Sequence, residues 1–556
     1  MSLTGNQSTI RVKKKQKHGS SNDTQLLESQ FQICVRKLKE ASFELHPWQI
    51  EGVRWMLEKE TDPRMRGGLL CDEMGLGKTI EAIGVMAGNP VTKTLLVMPG
   101  SLMQQWKVLI EKILPEVKVF IHHGSSRITN YLEMNRTTDP IVVITSYGLT
   151  YGRKSRDFVP TVLHKIYWDR IILDECHQIR NRWCRCSYSV KKLTSHYRWA
   201  LTGTPIQNGM DDLMSIFEFF GKSKKYIKDN IKDLYQHYLL RRSKKMVITD
   251  NTMMPSMDCT IHKIDFDSDV ERELYRRVRG EVRQQFKKLR NYSFHMNQIF
   301  ELLLRLRQSC IYPELVLKAS NIKYGTDFDK WDGTMTKLQQ MANMIAAQDA
   351  SDRTIVFCHF REEMRFLQHY LKEKSFGVEI LSGSLSLKQK NELLERAQYG
   401  RKEISDCLGE KKIQSGNKIV SLPEVLVNKI LEYAPPIDVL IVQIQAGGVG
   451  LNLQSFNQVY FSSPHWNPSL EDQAICRAYR LGQKKKVHVH KMVMVDSTDP
   501  ESVTIEERIL RIQERKRKTM FKVLQDKELL NNGKITAGNK IPGMGLSVSD
   551  FHQMFS

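Results

Sequence analysis

Seven short apolar runs recur along the chain, each followed by a polar or glycine-rich loop and then by residues with helical spacing. Four come early: Gly68-Leu69-Leu70-Cys71, Leu95-Leu96-Val97-Met98, Ile141-Val142-Val143-Ile144 and Ile171-Ile172-Leu173. Three follow a long gap: Ile355-Val356-Phe357, Val439-Leu440-Ile441-Val442 and Val459-Tyr460-Phe461. Near-continuous apolarity suits parallel strands covered on both faces, because such strands have no solvent side to leave polar. The pattern predicts an α/β protein with two parallel-sheet lobes. Residues 221–330, between the two groups of runs, are charged and helical in spacing, as at 270–275 and 301–307, and are read as a helical insertion joining the lobes.

Punctuation and composition set the outer boundaries. Residues 1 to about 30 are rich in Ser, Asn, Gln and Lys, with a basic run from Arg11 to Lys17, and carry too little apolar surface to pack. The expected order is a disordered basic tail over 1–40, a first lobe over 41–220, the insertion over 221–330, a second lobe over 331–500, a further segment over 501–530 and a glycine-rich flexible tail over 531–556.

Across 556 residues, 84 Lys and Arg face 62 Asp and Glu, a formal charge of +22. That imbalance favours a polyanionic partner through phosphate contacts and counterion release, so nucleic acid is expected. No stretch approaches the roughly 18 apolar residues a membrane span needs, and the N-terminus lacks the apolar core of a signal peptide. An intracellular protein without a membrane partner is expected. The ten cysteines include no CxxC pair, which argues for reduced thiols and no zinc.

Candidate chemistry sits just after the strands, where ligands of open α/β sheets bind. Asp72-Glu73-Met74-Gly75-Leu76-Gly77-Lys78-Thr79 follows the first apolar run and leads into a helix, so backbone amides of a turn and a helix start can face phosphates. Lys78 would pair with the β/γ-phosphates and Thr79 would hold Mg2+. Asp72 stands where the strict phosphate-loop pattern has glycine. Straight after the fourth run come Asp174-Glu175-Cys176-His177, where Asp174 can bind Mg2+ and Glu175 can orient and polarise a water. Together the two segments form the halves of one nucleoside-triphosphatase site.

These residues resemble helicase superfamily two, whose third motif is matched by Leu201-Thr202-Gly203-Thr204-Pro205-Ile206-Gln207-Asn208. Leu45-His46-Pro47-Trp48-Gln49 resembles the adenine-reading segment of that superfamily, which would place Gln49 on the base and favour ATP. In the second lobe, Asp472-Gln473-Ala474-Ile475-Cys476-Arg477-Ala478-Tyr479-Arg480-Leu481-Gly482-Gln483 resembles the arginine-finger motif of Swi/Snf-type ATPases. Arg477 and Arg480, three apart on a helix, can reach one γ-phosphate. The resemblance thus implies two RecA-like lobes, ATP and Mg2+ as cofactors, and Lys78, Asp174, Glu175, Gln473, Arg477 and Arg480 as the catalytic set. Nucleotide contacts are expected from Gln49, from Asp72, Glu73, Met74, Gly75, Leu76, Gly77, Lys78 and Thr79, and from Gly450.

A motor also needs a track. Ser101 in Pro99-Gly100-Ser101-Leu102, followed by Gln105 and Trp106, and Thr145 and Ser146 in Thr145-Ser146-Tyr147-Gly148, follow first-lobe strands and offer hydroxyls and amides suited to phosphates. Ser382, Gly383, Gln445, Gly447 and Gly448 do so in the second lobe. Gly447-Gly448-Val449-Gly450-Leu451-Asn452 and Pro464-His465-Trp466-Asn467-Pro468 separate Swi/Snf-type translocases from RNA helicases, so Trp466 and Asn467 complete the nucleic-acid set and duplex DNA is the implied partner. Tyr238-Leu239-Leu240-Arg241-Arg242 and Leu304-Arg305-Leu306-Arg307-Gln308-Ser309-Cys310 are similar to the helical protrusions of that group, and Thr504-Ile505-Glu506-Glu507-Arg508-Ile509 to its bracing helix. The link of about 385–437 is longer than the family's, and its residues 422–431 are expected to form a surface helix. The resemblance implies a monomeric double-stranded DNA translocase that displaces nucleosomes or a DNA-bound transcription or repair complex, in the nucleus or, for a viral protein, at a cytoplasmic DNA site. A strand-separating DNA or RNA helicase and a DNA-binding scaffold with a degenerate ATP site are the alternatives.

Overall fold

A computed structural model of the chain describes residues 21–151, 159–206, 209–248, 254–290, 296–318, 333–398, 412–415, 418–421, 436–447, 451–499 and 503–525. Among the described residues the first lobe holds seven strands: β1 (Gly67–Leu70), β2 (Lys93–Met98), β3 (Lys118–His122), β4 (Ile141–Ser146), β5 (Trp168–Asp174), β6 (Ser195–Leu201) and β7 (Leu239–Leu240). They lie in the order β3-β4-β2-β5-β6-β1-β7, every neighbouring pair parallel. The second-lobe sheet is built from β8 (Met257–Asp265), β9 (Thr354–Cys358), β10 (Val378–Leu381), β13 (Val439–Gln443), β14 (Gln458–Phe461) and β15 (Val487–Val495), in the order β10-β13-β9-β14-β15-β8, again all parallel. Between β10 and β13 in sequence, β11 (Lys412–Ser415) and β12 (Lys418–Ser421) form an antiparallel hairpin.

Each sheet has two apolar faces, and alternate residues of one strand serve different cores. Leu95, Val97, Ile171 and Leu173 join one cluster, while Leu96, Met98 and Ile172 join the other. In the second lobe Val356, Val439 and Ile441 divide in the same way from Ile355, Phe357, Leu440 and Val442. This is the period-two geometry of strands covered on both sides, and it explains why all seven apolar runs of the sequence became strands.

Of the tail expected over 1–40, residues 1–20 lie outside the described residues, and the rest is corrected by the helix Ser21–Glu40. Its apolar stripe of Phe31, Cys34 and Leu38 is buried in the first-lobe core beside the helices Pro47–Thr61 and Lys78–Gly88. Spacings of three and four place these residues on one face, a signal that polar composition masks. Gly84 lets the backbones approach, since a Cβ there would come 2.9 Å from Cys34 Sγ.

The helical insertion expected over 221–330 contains helices and, beyond the expectation, strands of both sheets. β7 extends the first sheet beside β1, and β8 is the edge strand of the second, paired with β15. β7 is two residues long, and most β8 side chains are exposed or half-buried, so neither produced an apolar run. The helices Asp269–Arg290 and Met296–Ile311 exist, and Leu274, Val278, Leu302, Leu303 and Leu306 join the second-lobe core. They form a layer of that lobe. Likewise Ile505, Ile509 and Ile512 of the helix Ile505–Gln525 pack into it. The expected helix at 422–431 and the tail over 531–556 lie outside the described residues. No described helix is long and apolar enough to cross a membrane.

Leu38→Ala is expected to destabilise the protein by about 2–5 kcal/mol, as loss of a buried leucine does, while Lys39→Ala on the exposed face changes it by less than about 0.5 kcal/mol. Urea unfolding of both variants checks this; equal effects would mean that the helix does not belong to the core.

Candidate functional site between the lobes

β1 ends at Leu70, and the chain turns through Gly75 and Gly77, both at φ +92°, before the helix Lys78–Gly88 begins. Only glycine takes that backbone region at little cost. The loop is held from behind: Trp48 Nε1 and Gln49 Nε2 both donate to the Leu76 carbonyl, at 3.0 and 3.1 Å. Gln49 Oε1 accepts from the His46 N–H at 3.0 Å, so its amide links two segments of the site. Lys78 Nζ curls back to the Asp72 carbonyl at 2.6 Å.

Asp72 is given a different task from the nucleotide contact expected of it. Its carboxylate is fully buried and accepts the Arg242 N–H and Nε, each at 2.9 Å. Arg242 also donates to Glu81 Oε2 at 2.8 Å and to the Trp48 carbonyl. Burial, with Asp72 alongside, pushes the Glu81 carboxyl up, and Arg242 partly offsets this. Aspartate replaces the usual glycine because this loop is moored to the chain after β7. Glu73 accepts the Lys244 N–H at 2.9 Å, and Leu76 is buried, so neither lines the cavity described next.

β5 delivers the acid pair. Trp106 Nε1 donates to Asp174 Oδ2 at 2.9 Å, the Glu175 N–H to Asp174 Oδ1 at 2.9 Å, and Tyr147 Oη to the Asp174 carbonyl at 2.8 Å. Burial and the neighbouring Glu175 push Asp174 up. Burial pushes Glu175 up as well, but His177, Lys78 and Arg477 more than offset it, so its carboxyl lies below the usual range. Glu175 has a left-handed backbone at φ +52°, an uncommon conformation for a residue with a side chain. His177 Nδ1 stands 3.2 Å from both Glu175 Oε2 and Thr202 Oγ1, and Thr202 Oγ1 accepts the Thr204 N–H at 3.2 Å. The acid pair is thereby wired to the segment after β6.

A cavity of about 300 Å³ opens between the lobes. Gln49, Met74, Gly75, Gly77, Lys78, Thr79, Asp174 and Glu175 line it from the first lobe, Arg477 and Arg480 from the second. Arg477 is in the last turn of the helix Pro468–Ala478, whereas Arg480 lies two residues beyond its end, so the two do not share a helix face as expected; burial lowers both pKa values. Gln473, a turn earlier, is buried and does not line the cavity; Gly450 lies outside the described residues. A hydroxyl and a carboxylate oxygen, Thr79 and Asp174, share the wall, beside a second carboxylate whose repulsion a divalent cation would relieve. That donor set fits Mg2+.

Lys244 went unnoticed in the sequence. From the first-lobe side, its Nζ donates to the Tyr479 carbonyl at 2.8 Å and lies 4.4 Å from the Tyr479 ring centroid, clasping the end of the arginine-bearing helix. One lysine in a basic stretch carries no signal of such a bridge. Of the nucleic-acid set, Ser101, Gly383 and Gln445 are exposed and Ser146 is half-buried. Thr145 is buried, its hydroxyl donating to the His122 carbonyl at 3.2 Å, and Ser382 is buried with its hydroxyl 2.7 Å from that of Ser384. Trp466 is a core side chain, and Asn467 caps the next helix by accepting the Ser469 N–H at 3.1 Å. Thr145, Ser382 and Trp466 are thus packed inward and Asn467 is engaged as a helix cap, where the expectation had all four contacting nucleic acid. Gly447 ends a short helical turn, and Gly448 lies outside the described residues.

The model of the SNF2-related domain matches residues 48–315, and that of the helicase conserved C-terminal domain matches residues 426–482. Over 573 residues the chain is 28% identical to the putative ATP-dependent helicase/translocase YwqA of Bacillus subtilis, covering 95% of this chain and 54% of that protein. It is 27% identical over 599 residues to the DNA repair protein RAD5B of Arabidopsis thaliana, covering 84% and 46%. The Sulfolobus solfataricus SWI2/SNF2 ATPase core in complex with dsDNA is 25% identical, with 88% of this chain and 95% of that chain covered and a TM-score of 0.35. The chain spans about half the length of these two curated relatives.

Arg242→Met leaves two carboxylates buried without their cation and is expected to cost about 3–5 kcal/mol, and adding Asp72→Asn and Glu81→Gln should recover part of the loss. Urea unfolding measures it, with the exposed Arg36→Met as the reference; a cost no larger than the reference would mean that the loop is not moored there.

Proposed function

The chain belongs to the SNF2-related, helicase-like family, and we propose that it is an ATP-driven motor that moves along double-stranded DNA and displaces or slides proteins bound there. The observation that carries the reading is the cavity whose two walls come from different lobes, with Lys78, Thr79, Asp174 and Glu175 on one side and Arg477 and Arg480 on the other. A nucleoside triphosphate in that cleft would place its phosphates at the loop amides and Lys78, with its base toward Gln49. Mg2+, held by Thr79 and Asp174, would neutralise charge on the phosphate oxygens. Glu175, kept ionised by its cationic neighbours, would orient the attacking water and take up its proton. Arg477 and Arg480 would stabilise the charge of the transferring phosphoryl group, and so would bind best when the lobes close.

That differential binding is what converts hydrolysis into movement. A ligand shifts a conformational equilibrium only as far as it prefers one state, and here the triphosphate prefers the closed cleft because both walls touch it. Lys244, already bridging the loop side and Tyr479, gives closure a fixed pivot. Exposed Ser101 on one lobe and Gly383 and Gln445 on the other offer grips whose spacing would change with each cycle. Because one chain supplies both walls, a monomer suffices.

Duplex DNA as the track is supported by the charge of +22, by the match to the SNF2-related domain and by relatives named for DNA repair. Protein complexes on that DNA, whether chromatin, transcription or repair assemblies, are the cargo this reading assigns.

ATP hydrolysis by the purified chain should be stimulated more by duplex DNA than by single-stranded DNA or RNA. Glu175→Gln should lower the stimulated rate by about 10²- to 10⁴-fold, and Arg477→Ala by about 10³- to 10⁵-fold. Preference for single strands, together with unwinding of a tailed duplex, would replace this reading with a strand-separating helicase. No hydrolysis under any condition would leave a scaffold.

A further inference from the structure

Asp174 is held by donors from two directions, and the two donors follow candidate nucleic-acid residues at strand ends, exposed Ser101 after β2 and half-buried Ser146 at the end of β4. Trp106 Nε1 binds its carboxylate at 2.9 Å, and Tyr147 Oη binds its carbonyl at 2.8 Å. The indole belongs to the apolar cluster on one face of the first-lobe sheet and the phenol to the cluster on the other, so the end of β5 is pinned from both sides. Neither ring is available to nucleic acid, since Trp106 is 1% exposed and Tyr147 is 7% exposed.

Their connections to the surface are short. After β2 the chain makes a single turn, Gly100–Leu102, bearing exposed Ser101, and runs directly into the helix Met103–Ile113 that carries Trp106. Leu102 and Gln105 of this segment line the nucleotide cavity. Tyr147 follows Ser146, the last residue of β4, without an intervening loop. A rigid helix transmits a displacement of its first turn to its second, and a hydrogen bond to a carboxylate is sensitive to direction and length.

We propose that Trp106, seconded by Tyr147, is a positioning residue that couples occupancy by DNA of the turn after β2 and the end of β4 to the placement of Asp174, and so sets how strongly DNA stimulates hydrolysis. The inference rests on the DNA-dependent ATPase reading above. Trp106 does not touch the nucleotide; it acts through the carboxylate that would hold Mg2+. Losing a partner of a metal-binding carboxylate typically costs about 10- to 100-fold in metal affinity or activity, and that range is expected here.

The test compares wild type, Trp106→Phe, Tyr147→Phe and a full-length chain carrying 3-benzothienylalanine at 106, which replaces only the indole N–H by sulfur. Hydrolysis is measured with and without duplex DNA across a Mg2+ titration, and duplex affinity by fluorescence anisotropy. The benzothienyl chain should melt and bind duplex as wild type does, yet lose stimulation by about 10- to 100-fold and need more Mg2+ for half-maximal rate. Tyr147→Phe should act in the same direction. A merely structural role would instead lower the melting temperature and leave the Mg2+ requirement unmoved. Wild-type stimulation retained by the benzothienyl chain overturns the coupling while the motor reading stands, whereas a wild type that duplex DNA does not stimulate overturns both.

Discussion

Arg242 is buried among Asp72, Glu81 and the Trp48 carbonyl, with exposed Glu51 at its edge, and the loop after β1 hangs from that arrangement. Two carboxylates and one guanidinium in a dry setting are stable only as a set, because removing one partner strands the charge of another. The constraint fixes three things at once. The strand β1 must end where Asp72 can meet Arg242, the phosphate-loop helix must present Glu81 to the same side, and the segment bearing Gln49 must approach from above. The geometry of the loop 72–78 is set by this ion cluster without any ligand.

The same segment that supplies Arg242 supplies Lys244 two residues later, so the mooring of the loop and the contact with the arginine-bearing helix share one short stretch of backbone. From the acid pair, a second line runs through His177 to Thr202 and Thr204. The cavity is therefore joined to the rest of the first lobe by buried polar contacts, which are directional, as well as by apolar packing, which is not.

How much of this was legible depended on whether a residue's role was local. The seven strands with apolar runs were plain, since being covered on both faces leaves a strand no polar position. That Lys78, Thr79, Asp174, Glu175, Arg477 and Arg480 would meet was legible from their places after strands and around one helix end, and they line one cavity. β8 was not legible, because an edge strand with a wet face looks like a charged linker. The helix Ser21–Glu40 was hidden by averaging, as three apolar residues at helical spacing vanish in a polar composition. Asp72, Thr145 and Trp466 failed for a third reason: their partners, Arg242, the His122 carbonyl and the second-lobe core, are distant in sequence, and no local pattern announces a long-range bond.

β8 pairs with β15 along its whole length, from Met257 with Val487 to Asp265 with Val495. During synthesis, β8 therefore leaves the ribosome long before the strand that completes it, and must wait while the rest of the second lobe is made. A cut between the lobes near residue 330 would leave β8 and two core helices of the second lobe on the first-lobe fragment. The half ending there would expose β8 as an unsatisfied sheet edge, prone to pairing with another chain, and only co-expression with the remaining half would restore its proper neighbour.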